Sequence, residues 1–201
     1  MTFSDISAAL APVVQAFDRL GIAYHVGGSV ASSAYGVART TLDIDLVADI
    51  KPEHAQSLSR LLAPAYYIDA DMILDAICHE ACFNVIHQAT MMKVDVFVLK
   101  KRAYDQVAFP RRRRDTVGVS VEVPCFLASP EDIILSKLEW FKLGQHVSER
   151  QWRDVLGVLR VQAGHLDLVY LTHWAGELGI LDLFNKATAA ADMHPRLFEP
   201  S

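Results

Sequence analysis

Between Leu42 and Ala48 the chain alternates, Leu42, Ile44 and Leu46 against Asp43, Asp45 and Val47. A period of two is a β-strand with one face in a core, and it sends both carboxylates to the other face. Two carboxylates side by side repel unless a cation lies between them, and such oxygen donors suit Mg2+ or Mn2+. Upstream, Ile22 to Val26 is a short apolar stretch that breaks at Gly27-Gly28. A short helix is expected from Ser29 to Tyr35, so backbone N–H groups and a helix N-terminus can face an anion, with the Ser29 hydroxyl as a further donor.

Asp95 interrupts an otherwise apolar strand, Lys93 to Leu99. A lone carboxylate buried there is costly, whereas beside Asp43 and Asp45 it completes a three-carboxylate site able to hold two metal ions. Spacing alone is weak support. Sixteen Asp residues give roughly one Asp-x-Asp pair by chance. The chain has a second, Asp69-Ala-Asp71, which precedes the apolar segment Met72–Ile77 and reads as a helix cap.

The remaining pattern predicts an α/β head over residues 1–125 and a helical bundle over 126–201. The head opens on a helix capped by Ser4 that ends at Gly21. It continues with a helix over 52–62, strands at 83–87 and 93–99 forming a hairpin, and an edge strand over 117–123. The tail starts at Ser129-Pro130-Glu131-Asp132, a cap with a first-turn proline and early acids. Its helices run to Leu143, from Ser148 to Gln162, from Leu166 to Leu178 and from Ile180 to Ala190. Trp140, Phe141, Trp152 and Trp174 are expected to form the core of that bundle.

With 52% hydrophobic and 21% charged residues the chain is neither disordered nor fibrous, and a net charge of −5 argues against a basic nucleic-acid coat. Three cysteines point to a reducing, cytoplasmic setting, and no secretion signal or membrane-length apolar run is present. Cys78, His79, Cys82 and His87 lack the second matching pair of a zinc site. The interval 93–114 holds eight of the nineteen cationic residues, among them Arg111, Arg112, Arg113 and Arg114. It reads either as a phosphate or RNA surface or as a solvated loop.

Val26-Gly27-Gly28-Ser29 followed by Arg39-Thr40-Thr41-Leu42-Asp43-Ile44-Asp45 resembles the signature of the DNA polymerase β-like nucleotidyltransferases. Its form is most similar to the AbiEii/AbiGii toxin-type bacterial members. The likeness continues through Phe83–His87, Lys93-Val94-Asp95, Ser129–Leu138 and Gln151–Leu156, so it covers roughly residues 22 to 160. Polyadenylating and CCA-adding relatives carry Arg-Asp after the glycines, and Ala31-Ser32 sets this chain apart from them.

The resemblance implies a mixed-sheet α/β (α+β) fold and transfer of a nucleoside monophosphate from an NTP to an acceptor, with release of pyrophosphate. It implies that Gly27, Gly28 and Ser29 cradle the triphosphate, with Arg39 and Thr41 among the nucleotide-binding residues. Asp43 and Asp45 would hold a metal ion, and Asp95 a second metal or the proton of the acceptor hydroxyl. Lys137 would neutralise phosphate charge, with Asp154 as its partner. The acceptor could be an RNA 3′ end, such as that of tRNA, reached through Arg111–Arg114 in a toxin with a cognate antitoxin. Two rivals stand beside this reading: transfer to a small-molecule hydroxyl, as in antibiotic-modifying relatives, and a non-catalytic nucleotide- or partner-binding module.

Overall fold

The computed structural model describes residues 3–118 and 121–192. All the alternating segments join one mixed seven-stranded sheet. Its strands are β1 (Tyr24–Val26), β2 (Asp43–Ala48), β3 (Tyr66–Tyr67), β4 (Cys82–His87), β5 (Lys93–Val98), β6 (Arg113–Val117) and β7 (Val123–Leu127). Their spatial order is β3-β4-β5-β2-β1-β7-β6. The predicted hairpin is β4–β5, and β5 lies parallel to β2 at the centre of the sheet.

One face of the sheet is apolar because every second residue of the central strands is apolar. Ile44, Leu46 and Ala48 of β2, Val94 and Val96 of β5, and Phe83 and Val85 of β4 are all buried. Helices α1 (Phe3–Leu20), α3 (Pro52–Leu62) and α4 (Ala70–Cys78) pack together with Leu10, Val13, Phe17, Leu58, Leu62 and Ile73 buried. Each such Leu, Ile or Phe contributes roughly 1.5–3 kcal/mol on burial. The Tyr66 hydroxyl ties the sheet edge to α1 by donating to the Ala9 carbonyl at 2.7 Å. Asp69 caps α4 as expected, its Oδ1 accepting from the Asp71 amide at 2.8 Å. Helix α1 begins at Phe3, so Ser4 lies inside its first turn instead of capping it.

The stretch 117–123 is not one strand. Val117 and Val123 face each other as the last rung of the β6–β7 hairpin, and both are buried. Their shared side of the sheet gave the sequence its apparent alternation. Gly118 leaves the strand at φ +120°, and a Cβ there would lie 2.1 Å from the Val121 carbonyl oxygen. The turn therefore requires glycine.

Contacts divide the chain into Met1–Ala31 with Arg39–Ser129, and Ser32–Ala38 with Pro130–Ser201. Helix α2 (Gly28–Tyr35) begins in the first unit, which also holds the sheet and a short α5 (Ala103–Ala108). The second unit holds α6 (Pro130–Leu143), α7 (Glu149–Gln162), α8 (Leu168–Glu177) and α9 (Leu181–Ala190). Ser148 caps α7, and Asp167 caps α8 through the Tyr170 amide at 2.9 Å. Val155, Val158, Leu159, Leu171 and Phe184 are buried here. Trp140 departs from the sequence expectation, being 53% exposed. Helical phase separates it from its neighbour Phe141, which is buried and stacks on Trp152 with ring centroids 5.4 Å apart. No helix among the described residues is long and apolar enough to cross a membrane.

Candidate active site

The face of the sheet opposite the helices carries the acids. Asp43 and Asp45 point the same way along β2, and Asp45 stands directly opposite Asp95 in the parallel β2–β5 register. Partners in register share a face, so the three carboxylates occupy one patch of two adjacent central strands. Asp95 is 8% exposed, and Asp43 and Asp45 are half-buried.

The glycines meet this patch from β1. The Gly27 amide donates to the Asp45 carbonyl at 2.8 Å, which fixes the turn against β2. Gly28 opens α2 at φ +54°, and a Cβ there would lie 1.8 Å from Asp45 Oδ2. Both its backbone angle and the nearness of that carboxylate exclude a side chain. Gly27, by contrast, has nothing within 4 Å of a Cβ position. The first turn of α2 thus starts beside the Asp45 carboxylate, and first-turn amides have no acceptor within their own helix. Ser29 Oγ accepts a short hydrogen bond from Arg39 Nη2. The Thr41 hydroxyl is placed to donate to Asp43 Oδ1 at 3.0 Å and lies 3.1 Å from the Asp43 carbonyl oxygen. Gly28, Ser29, Arg39, Thr41, Asp43, Asp45 and Asp95 are all brought together within the first unit.

Lys93 completes the patch. It faces Asp43 in register, and its Nζ lies 2.8 Å from Asp95 Oδ2. Among the described residues no three His, Cys, Asp or Glu side chains converge closely enough to hold a metal ion. The donor chemistry nevertheless fits a hard divalent cation: all-oxygen, carboxylate-rich, with an ammonium already standing in at Asp95.

No family model and no curated protein matches the chain. Solved structures do. The chain is similar to an antigenic nucleotidyltransferase-like protein from Paracoccidioides brasiliensis, at 18% identity over 92% of this chain and 94% of that one, TM-score 0.52. It is also similar to the antibiotic-resistance factor ANT(2'')-Ia in solution, at 17% identity over 95% and 97%, TM-score 0.53. ANT(2'')-Ia in complex with adenylyl-2''-tobramycin matches at 14% identity over 92% and 99%, TM-score 0.55. The chain has the nucleotidyltransferase fold.

Lys137 of α6 and Asp154 of α7 belong to the second unit, where Lys137 Nζ donates to Asp154 Oδ2 at 2.7 Å and to Gln151 Oε1 at 3.1 Å. Their side chains are only 5% and 6% exposed, so the lysine does not snorkel to solvent. The basic interval is scattered. Lys93 pairs with Asp95, Lys101 with Glu80 and Arg102 with Asp105. Arg112 lies over the rings of Phe109 and Phe126, at 4.7 and 5.3 Å. Arg113 and Arg114 start the outermost strand, separated from β2 by β1 and β7 on the side away from β5.

Lys93 falls within the family likeness and within the basic interval, but neither gives it a place in the site. Its position two residues before Asp95 was the available signal, because alternation puts both on one face. His25 is a further residue without a motif to mark it: it faces Val47 on the carboxylate side and lies against Phe109 with ring centroids 5.4 Å apart. Burial, with the Arg112 charge nearby, lowers its pKa to about 4.

Proposed function

We propose that this chain transfers a nucleoside monophosphate from an NTP to an acceptor hydroxyl. The observation that carries the reading is the register pair Asp45–Asp95 on the face where Gly28 presses against Asp45. A protein without need of negative charge has no reason to place three carboxylates on adjoining positions of a sheet centre.

In this reading Gly28, Ser29 and Arg39 bind the triphosphate through first-turn amides, the hydroxyl and the guanidinium. Asp43, Asp45 and Asp95 would hold Mg2+ or Mn2+, which would supply neutralisation of charge on the phosphates. The acceptor oxygen bonds to the α-phosphorus as the α–β anhydride bond breaks, and pyrophosphate leaves with that electron pair. Asp95 takes the hydroxyl proton. Thr41 orients Asp43.

The acceptor is better read as a small molecule than as RNA. Four of the eight cations of the 93–114 interval are engaged with neighbouring acids or rings, which removes half of the polyanion surface that the sequence suggested. ANT(2'')-Ia, with its adenylyl-2''-tobramycin complex, is a fold neighbour with a small-molecule adenylyl product. An RNA-directed toxin with a cognate antitoxin is the second reading, supported by the exposed Arg113 and Arg114.

Incubation with each α-labelled NTP, Mg2+, and either total RNA or a panel of hydroxylated small molecules tests both. Label is expected on an acceptor with wild type and on none with Asp45→Asn at unchanged melting temperature. An equally active Asp45→Asn protein would refute the assignment, and label confined to RNA would reverse the choice of acceptor.

A further inference from the structure

Lys93 sits within the carboxylate patch and has no part in the roles assigned above. It stands opposite Asp43 and two residues before Asp95, so strand alternation aims it at the face that carries all three acids. Its side chain is 45% exposed while that of Asp95 is 12%, so the lysine reaches inward from solvent to a nearly buried carboxylate. Hydrogen bonding to Asp95, with the negative charges of Asp95 and Asp43, holds the ammonium above the ordinary lysine range.

Three acids in one patch repel, and one tethered positive charge relieves that repulsion. The carboxylates occupy adjoining register positions, and Lys93 reaches one of them. The Asp95 oxygen that would ligate a cation already accepts from Lys93. A divalent ion placed there would meet both a taken acceptor and a like charge.

We propose that Lys93 is a tethered counter-ion that a divalent cation must displace from Asp95, with nucleotide phosphate as its alternative partner. This rests on the assignment of Asp43, Asp45 and Asp95 to cation binding. Without nucleotide, the lysine keeps Asp95 neutralised and its proton-accepting oxygen covered. When triphosphate arrives, the flexible four-carbon stem lets the ammonium move to it, and Asp95 becomes available to cation and acceptor together. Loading of the third carboxylate is thereby conditional on nucleotide.

The test is Mn2+ titration of the nucleotide-free protein, with free Mn2+ read by electron paramagnetic resonance. Lys93→Met should bind Mn2+ about tenfold more tightly than wild type, from loss of one screened ion pair and one like-charge repulsion. Lys93→Arg should match wild type, and Lys93→Met/Asp95→Asn should bind no more tightly than Asp95→Asn. Lys93→Gln serves as a second neutral variant should the methionine disturb folding. Equal or weaker Mn2+ binding by both neutral variants, or a gain that survives Asp95→Asn, overturns the proposal. Lys93→Met/Asp45→Asn distinguishes the levels: undiminished Mn2+ binding there means that the cation-binding assignment itself is wrong.

Discussion

The Lys137–Asp154 pair permits a quantitative test of what burial does to charge in the helical unit. The two groups lie 2.7 Å apart with side chains 5% and 6% exposed, so water does little to screen either. Asp154→Ala takes the paired carboxylate away from a buried ammonium and leaves the neutral Gln151 Oε1 beside it at 3.1 Å. Removing one partner of a buried pair costs about 3–5 kcal/mol, against about 0–1 kcal/mol for an exposed pair. For a chain of this size that is a fall in melting temperature of roughly 6–20 °C. The apolar replacement Lys137→Met/Asp154→Leu removes both charges together and should recover most of the loss. Thermal and urea unfolding of wild type, Lys137→Met, Asp154→Leu and the double variant supply the double-mutant cycle. A loss under 1 kcal/mol for Asp154→Ala, or a double variant whose loss equals the sum of the singles, would refute the burial reasoning. Should the double variant fold but show a raised KM for NTP, the pair also serves phosphate.

Two further outcomes follow from single residues. Gly28→Ala puts a Cβ at 1.8 Å from Asp45 Oδ2 and an L-residue at φ +54°, whereas Gly27→Ala enters open space. The first should lose about 1–2 kcal/mol of stability and roughly 100-fold in kcat/KM, the second far less, as read by melting and label transfer. His25 has a folded pKa of about 4, below its ordinary 6.5, so the native state resists its protonation. Its contribution is complete above pH 6.5 and is lost as pH falls from there to about 4, amounting to about 2 kcal/mol at pH 5. Urea unfolding against pH should show that extra slope in wild type and not in His25→Leu. Parallel curves would show that the imidazole is not shielded as described.

The site was legible where chemistry and periodicity agree. Asp43 and Asp45 alternate with Ile44 and Leu46, so a strand fixes their face, and Asp95 is costly in an apolar strand unless it joins them. Gly28 was legible as a break, but not as a residue pressed against Asp45, since that depends on the β1–β2 register. The hairpin at 113–127 is not legible because Val117 and Val123, opposite each other in its last rung, share one side of the sheet. The alternating pattern cannot tell a continuous strand from a folded one. Trp140 misled because aromatic residues were grouped by type, while helical phase decides which side they face.

The two margins of the sheet finish in different ways. One is β3, only two residues long, and the other is β6, whose Arg113, Arg114 and Asp115 are all exposed. A margin with unpaired backbone groups invites a strand from another molecule, and shortness or dense charge discourages it. The arginines that drew attention as an anion-binding run therefore have a second consequence: they keep neighbouring copies from zipping onto the sheet and so favour solubility.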